Sequence, residues 1–209
     1  MRVVVKLGGR VAAGSVGEVL ERRVAGDEVV VVHGAGPQIS AELEARGLPV
    51  TFVRGRRVTD AATLAVVREL LVSVGEELCD TLGSDAVQLV GDEIGLEASP
   101  RPELGLVGDA VVSLLPAVEQ ALASGRIPVV TPIAVGPLNV NADEAAAAVA
   151  SSVGAERLVF VSDVPGVYLE ARCSSSSTPT VRRSCSSAGP STAGSSRSSW
   201  RRCKLLAPD

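Results

Sequence analysis

Lysine and glycine stand together near the start of the chain, in the stretch "KLGG". Lys6 ends a short apolar run, and Gly8 and Gly9 follow it. Glycine lets the backbone approach an anion closely, and a lysine beside it supplies a point charge for phosphate. The stretch is therefore compatible with a phosphate-binding turn, although taken alone it favours a surface lysine before a flexible turn.

A second glycine turn occurs in "VVVVHGAGPQI", where an apolar run reaches Gly34, Ala35 and Gly36 before a helical pattern. Free N–H groups at a helix N-terminus attract anions, so this turn predicts a phosphate or carboxylate site. A dinucleotide fingerprint would require glycine at position 39, where the chain has Ile39, which argues against a dehydrogenase. His33, the single histidine, fits a hydrogen-bonded turn residue better than a catalyst.

Amides and acids cluster in the stretch "LNVNADEAAAAVA". Asn141 and Glu144 have the spacing of a capping box, and Asp143 suits the positive end of the helix that follows. This structural account leaves Asn139 unexplained. The cluster therefore also qualifies as part of a ligand site that faces the two glycine turns.

Arginines lie between the second and third predicted strands, in "FVRGRRVTD". Arg56 or Arg57 could clamp a substrate carboxylate through two parallel hydrogen bonds. A solvated basic loop explains the same residues equally well, so both interpretations stay open at this point.

The elements that must position these groups alternate between strand and helix patterns. Buried strands are predicted at "RVVVKL", "EVVVVH", "AVQLV", "RIPVVTPI" and "ERLVFVSDV", with helical patterns between them. A long helix is predicted from Asp60 onward, because apolar residues recur every three or four positions as far as Leu82. The alternation predicts a three-layer α/β/α sandwich with a mainly parallel central sheet, whose strand C-termini bind ligands.

The composition fits a domain of this kind. A chain of 209 residues, 46% hydrophobic and only 2% aromatic, can bury a core built from Val, Leu, Ile and Ala. No apolar run has the length of a signal-peptide core or a membrane span, so we expect a cytoplasmic protein without a membrane partner. Four cysteines without a CxxC pair, and one histidine, support neither a metal site nor a disulfide framework.

The composition changes near Arg172. Residues 172–209 hold twelve serines, three of the four cysteines and a net charge of +6, which leaves −10 for the rest of the chain. Such a segment buries too little apolar area to order itself, so we predict a disordered tail. Since it has neither interleaved aromatics nor an amphipathic period, we expect no nucleic acid partner.

Five motifs together resemble the amino acid kinase family: "KLGG", "VHGAGPQI", "RRVTD", "NVNAD" and "VSDVPGV", in this order and at these intervals. The resemblance covers residues 1–170, which implies an amino acid kinase-like domain there, with an acyl-substrate lobe and the start of a nucleotide lobe. The remaining 171–209 form the aberrant tail. Resemblance is greatest to members that use ATP and Mg²⁺ to phosphorylate the side-chain carboxylate of N-acetyl-L-glutamate in arginine biosynthesis.

This reaction suits the residues present. A carboxylate is already ionised at neutral pH, so the reaction needs no His or Cys as a base, only positioning and charge stabilisation of the phosphoryl group. The resemblance also implies a homodimer or a higher homo-oligomer.

The resemblance implies roles for individual residues. Lys6 and Asp143 become catalytic: Lys6 stabilises the transferring phosphoryl group, and Asp143 orients the catalytic lysines. The resemblance implies that Gly8, Gly9 and Asp163 bind phosphate and nucleotide, and it implies no metal ligand. The residues implied to bind the acyl substrate are Gly34, Ala35, Arg57, Asn139 and Asn141, and at Ala35 the family usually has glycine.

One family motif is missing from the chain. A second lysine normally follows "SDVPGV" in a "GG-x-x-P-K"-like motif, and residues 172–209 contain no such motif, so the C-terminal nucleotide lobe is incomplete. Displacing the reading frame by one base lets Ser191–Ser198 encode Phe-Asp-Gly-Gly-Ile-Val-Pro-Lys. We therefore hypothesise a one-base insertion or deletion near Glu170.

Two alternative functions stay open on the sequence. The first is an aminoadipate or glutamate kinase that acts on a substrate bound to a carrier protein. The second is a degenerate, non-catalytic kinase that only binds the acyl amino acid.

Overall fold

The computed structural model describes residues 1–8 and 16–161, all within a unit that spans Met1–Asp163. The domain boundary predicted at residue 170 and the tail predicted over 171–209 lie outside the described residues. The strands in the described part are β1 (Arg2–Leu7), β2 (Glu28–His33), β3 (Phe52–Val53), β4 (Arg56–Arg57), β5 (Ala86–Val90), β6 (Ala98–Pro100), β7 (Val107–Ala110), β8 (Ile127–Thr131), β9 (Ile133–Ala134), β10 (Leu138–Val140) and β11 (Arg157–Val161). The helices are α1 (Val16–Val24), α2 (Gly36–Ala45), α3 (Ala61–Leu82), α4 (Pro116–Ala123) and α5 (Ala142–Ser152), with a 3₁₀ turn over Pro102–Leu104.

The central sheet contains five parallel strands in the order β11-β1-β2-β8-β5. A parallel sheet is buried on both faces, which is why its strands appear in the sequence as continuous apolar runs. Along β1 the side chains alternate, so Val3, Val5 and Leu7 pack on one face and Val4 packs on the other. This parity places Lys6 on the same face as Val4.

Helices cover both faces of the sheet, which confirms the predicted α/β/α layering. Side chains of α1, α2 and α3 form one apolar core, and those of α4 and α5 belong to the other. The long helix α3 begins after Asp60, whose carboxylate accepts a hydrogen bond of 2.7 Å from the Thr63 N–H. In the part of the chain that the structure describes, no helix is both long and apolar enough to cross a membrane.

A second sheet and a hairpin add to the predicted architecture. The second sheet has the order β6-β7-β10-β9, and β3 pairs with β4 in a two-residue hairpin. Strands of two to four residues are too short for a periodic pattern, so the sequence gives no signal for them. Leu138 and Val140 of β10 pack in the core beside α5, and this places Asn139 near the helix N-terminus.

Candidate functional site

Lys6 and Asp143 form an ion pair at the C-terminal end of β1. Their Nζ and Oδ1 atoms are 2.9 Å apart, with the lysine side chain 15% exposed and the aspartate 56% exposed. Since Lys6 lies on the face of the sheet that α5 covers, strand parity alone brings it to the first turn of that helix. The pair holds a cation in a fixed position that an anion can reach from solvent.

Asn141 caps helix α5. Its side-chain oxygen accepts hydrogen bonds from the N–H groups of Asp143 at 2.8 Å and Glu144 at 3.4 Å. The reciprocal bond of a capping box is not formed, because the Glu144 carboxylate instead accepts a 2.6 Å bond from Arg56. The helix therefore uses the Asn141 oxygen and leaves the amide NH₂ as a donor for a ligand.

The two glycine turns lie side by side at the ends of β1 and β2. The Gly34 N–H donates to the Leu7 carbonyl at 3.0 Å, and the Gly8 N–H donates to the Val161 carbonyl at 3.1 Å. A Cβ added to Gly34 would come within 3.3 Å of the Ala142 methyl group, so this turn packs closely against the start of α5. Gly9 and Asp163 lie outside the described residues.

Ala35 is buried and belongs to the core formed with α1, α2 and α3. It precedes α2 as the N-cap residue, and its side chain makes no capping hydrogen bond. Alanine at this position therefore serves packing, and the turn keeps its form without a glycine there.

Arg57 lies on β4 and is 7% exposed. One terminal nitrogen, Nη2, donates to the Ser40 hydroxyl at 2.9 Å and to the Gly36 carbonyl at 3.2 Å, and the Phe52 ring lies 4.7 Å from Cζ. The other, Nη1, is buried and has no hydrogen-bond partner in the described residues. Burial lowers the pKa of the guanidinium below its ordinary value, but arginine stays charged in proteins, so Arg57 keeps a cationic donor that no described residue uses.

Asn139 and Thr59 form a hydrogen-bonded chain that ends at Arg57. The Asn139 amide donates to the Thr59 hydroxyl at 3.0 Å, and that hydroxyl donates to the Arg57 carbonyl at 2.9 Å. Thr59 is fully buried; sequence reasoning did not single it out, and its only signal there is its position two residues after Arg57. The NH₂ group of Asn139 is used by Thr59, so the side-chain oxygen of Asn139 is the atom that can accept from a ligand.

A cleft of about 120 Å³ brings Arg57, Asn139 and Asn141 together. Three of the five residues expected to bind substrate thus share one cavity, and Gly34 packs beside it against α5. Asp143 is two residues along α5 from Asn141, so the Lys6–Asp143 pair adjoins the same helix end. Within the described part of the chain, the cleft is lined by Phe52, Gly55, Arg56, Arg57, Val107, Asn139, Val140 and Asn141.

Arg56 differs from its neighbour because its charge is already neutralised. It forms ion pairs with Asp109 and with Glu144, and Asp109 also pairs with Arg101. The hydrogen bond from Arg101 and the charge of Arg56 hold the pKa of Asp109 below its ordinary value. The residue types alone left both arginines open and the resemblance named Arg57; among the described residues, Nη1 of Arg57 has no partner, whereas both terminal nitrogens of Arg56 face carboxylates. A second cleft of about 400 Å³ adjoins this network and is lined by Arg56, Asp109, Ala110, Val112, Glu144, Ala147, Ala148 and Ser151.

The arrangement can hold a molecule with two acidic ends. A carboxylate would complete the hydrogen bonding of Arg57, an amide group would match the free acceptor of Asn139 and the free donor of Asn141, and a second anion would meet Lys6. Buried polar groups without partners are uncommon in folded proteins. Nη1 of Arg57, which no described residue accepts from, is therefore a candidate donor to a ligand in this cleft.

Comparison with known proteins gives relatives that are similar in sequence over most of this chain. The chain is 45% identical over 166 residues to an acetylglutamate kinase of Saccharopolyspora erythraea, covering 71% of this chain and 54% of that protein. It is 42% identical over 173 residues to an acetylglutamate kinase of Methanopyrus kandleri, covering 72% and 70% respectively. The chain thus spans about half the length of some of its curated relatives.

The fold has relatives among solved structures. The crystal structure of smu.665 from Streptococcus mutans superimposes with a TM-score of 0.72 at 29% identity, over 81% of this chain and 75% of that one. The family model described as "Amino acid kinase family" matches residues 1–176, which includes both glycine turns, the hairpin with Arg57 and helix α5. The chain therefore belongs to the amino acid kinase family.

Proposed function

We propose that the cleft between the β3–β4 hairpin and α5 binds N-acetyl-L-glutamate. In this proposal Arg57 pairs with the α-carboxylate, Asn139 and Asn141 contact the acetylamino group, and the side-chain carboxylate extends toward Lys6. The observation that carries the proposal is the buried Nη1 donor of Arg57, which has no hydrogen-bond partner among residues 1–8 and 16–161. The names of the relatives, acetylglutamate kinases, support the choice of this acyl amino acid.

We further propose that the bound side-chain carboxylate is phosphorylated, which yields N-acetyl-L-glutamyl 5-phosphate in arginine biosynthesis. ATP would supply the phosphoryl group, and Mg²⁺ would neutralise its oxygens. Lys6 would stabilise the charge on the group in transit, and Asp143 would keep Nζ in place through the 2.9 Å ion pair. The backbones of Gly8 and Gly34 would allow close approach of the phosphates.

In this proposal Mg²⁺ would be held mainly by the phosphates of ATP and by water. No group of three or more His, Cys, Asp and Glu in the described part of the chain is placed to hold a metal. Mg²⁺ commonly takes one or two carboxylates together with substrate phosphates and water. Gly9 and Asp163, which we propose for phosphate and nucleotide, lie outside the described residues. A cytoplasmic location and a homodimer or higher homo-oligomer belong to the same proposal.

Calorimetric titration of the full chain tests the proposed substrate. N-acetyl-L-glutamate should bind, L-glutamate should bind weakly because it lacks the acetylamino group, and the α-amide of N-acetylglutamate should bind weakly because it has no carboxylate for Arg57. N-acetyl-L-glutamine keeps the α-carboxylate and loses only the acceptor for phosphate, so it should bind without being phosphorylated. Equal affinity for N-acetyl-L-glutamate and its α-amide would contradict the assignment.

A non-catalytic binding protein is the second candidate, because the second lysine motif is missing from residues 172–209. It predicts N-acetyl-L-glutamate binding without release of ADP. A coupled assay of ADP release, on a preparation whose intact mass matches the 209 residues, separates it from the kinase. Adding aminoadipate and glutamate, free and bound to a carrier protein, tests the remaining alternative.

A further inference from the structure

The β3–β4 hairpin carries Arg57 but has little structure of its own. Each strand has two residues, with Phe52 paired to Arg57 and Val53 paired to Arg56. The turn consists of Arg54 and Gly55, both with positive φ, at 49° and 79°. Since even longer isolated hairpins are marginally stable in water, contacts outside the hairpin must hold it in place.

The end of the hairpin nearest Thr59 is anchored through the backbone. The Thr59 N–H donates to the Leu104 carbonyl at 2.9 Å, and the Leu106 N–H donates to the Thr59 carbonyl at 2.7 Å. The turn end has no comparable backbone anchor among the described residues, and Val53 and Arg54 are exposed there. A side chain must therefore fix the turn end.

Arg56 reaches from this turn to two other elements. It donates a 2.6 Å hydrogen bond to Glu144 in the first turn of α5 and forms an ion pair with Asp109 on β7. Glu144 follows Asp143, the partner of Lys6. One arginine thus joins the hairpin that carries Arg57 to the helix end that carries the phosphate residues.

The charges around Arg56 exclude a direct role in binding a second anion. Arg56 and Arg101 are balanced by Asp109 and Glu144, so this group of four has no net charge. The Glu144 carboxylate could accept a reciprocal capping bond from the Asn141 N–H, but it accepts a hydrogen bond from Arg56 instead. It therefore links the hairpin to α5 and does not cap the helix.

We propose that Arg56 is a positioning residue: through Glu144 and Asp109 it clamps the hairpin against α5 and so sets the distance from Arg57 to the Lys6–Asp143 pair. The proposal rests on the proposed function for its substrate, but the clamp itself is a property of the free protein. Arg56 also lines the cleft, but its guanidinium is paired with Asp109 and Glu144, so in this proposal it acts by holding Arg57 in place. Its loss should weaken binding without changing the chemistry of the pocket.

Hydrogen exchange of the unliganded full chain tests the clamp without any ligand. Arg56→Gln should speed exchange about threefold to tenfold in a peptide covering residues 51–58, the effect of losing a partly exposed, charge-assisted bond. A peptide from α3 should exchange unchanged, which separates hairpin loosening from general destabilisation. Arg54→Gln, a charge removal in the same turn, is the matched control and should change neither peptide.

Calorimetry with N-acetyl-L-glutamate tests the consequence for binding. The Kd should rise by a similar factor in Arg56→Gln and in Glu144→Gln, the double variant should be no worse than either single one, and Arg56→Lys should recover part of the loss. Unchanged exchange in the hairpin, or an unchanged Kd in a chain that binds the ligand, would overturn the proposal. Faster exchange in a chain that does not bind N-acetyl-L-glutamate would support the clamp and contradict the proposed substrate instead.

Discussion

Two neighbouring arginines have opposite environments, and this contrast decides what each can do. Arg57 is buried, stacked on Phe52 and short of one acceptor, whereas Arg56 is paired with two carboxylates. Burying a cation removes its hydration, and this costs free energy unless hydrogen-bond partners in the protein replace the lost water. The carboxylate proposed to bind there would supply the missing partner, so Arg57 is the more informative residue to substitute.

Arg57→Lys should weaken N-acetyl-L-glutamate binding by at least about tenfold, although it keeps the charge. A lysine can neither donate in a planar fork nor stack on Phe52 in the same way. Titration calorimetry measures the effect, with Arg54→Lys as the control in the same hairpin. Wild-type affinity in Arg57→Lys would show that the α-carboxylate binds elsewhere.

His33 makes the stability of the domain depend on pH. It is fully buried beside the Thr131 hydroxyl and opposite Gly75, and burial lowers its pKa from 6.5 to about 4. Between about pH 4 and 6.5 His33 is protonated in the unfolded chain but neutral in the folded chain. The free energy of unfolding therefore falls as the pH drops from about 6.5 toward 4. Urea denaturation should show a loss of up to about 1.4 kcal/mol per pH unit from this group.

The variant His33→Asn separates this effect from the titration of carboxylates. The change in unfolding free energy between pH 7 and pH 5 should be smaller than in the unsubstituted chain, whatever the variant costs at pH 7. An identical pH profile in both proteins would rule out His33 as the source.

At the scale of elements, Asn141 caps helix α5 and is also one of the residues proposed to bind the substrate. Asn141→Asp should keep the stability, because aspartate is as good an N-cap as asparagine, while it replaces an amide donor by a negative charge. N-acetyl-L-glutamate binding should weaken by at least about tenfold in this variant. Asn141→Ala should lose both functions, with a stability cost of about 1 kcal/mol, as thermal denaturation would show. Normal binding of N-acetyl-L-glutamate by Asn141→Asp would show that Asn141 acts only as a helix cap.

The contact between β5 and the β8–β9 bend depends on the absence of a side chain at Gly91. A Cβ there would lie 2.3 Å from the Ile133 carbonyl oxygen and 2.7 Å from that of Thr131. Gly91→Ala should therefore destabilise the domain by about 1–3 kcal/mol. Gly17→Ala in α1, where an added Cβ meets nothing within 4 Å, should stabilise it by about 0.5–1 kcal/mol. Chemical denaturation curves that shift in the same direction for both variants would contradict this account.

At the scale of the whole molecule, the hypothesis of a shifted reading frame has a direct test. Sequencing the DNA across codons 165–209 should reveal a one-base-displaced frame that encodes Gly-Gly-Ile-Val-Pro-Lys. If that run is absent, the Ser- and Arg-rich segment needs another explanation. If it is present, the protein made from the restored frame should release ADP faster than the 209-residue chain.

The central sheet could be predicted from the sequence because each of its strands is long enough to show a buried apolar run. The parity of β1 and β2 even fixes which face holds Lys6. The short strands of the second sheet and the β3–β4 hairpin are held by contacts between residues far apart in sequence, which leave no periodic signal. For the same reason the residue types alone could not distinguish Arg56 from Arg57; only the family resemblance singled out Arg57, and the ion pairs of Arg56 came from the structure.

Strand β1 lies between β2 and β11, and this neighbourhood has a consequence for synthesis. Its partner β2 follows after about twenty residues, but Leu7 finds its other partner only at Val161. At a translation rate of about 5–20 residues per second, the second side of β1 stays unpaired for roughly 8–30 s. Lys6 lies on β1, so the segment proposed to bind phosphate is among the first to be synthesised and among the last to gain both of its neighbouring strands. Newly made chains should therefore depend on chaperones most strongly during this interval.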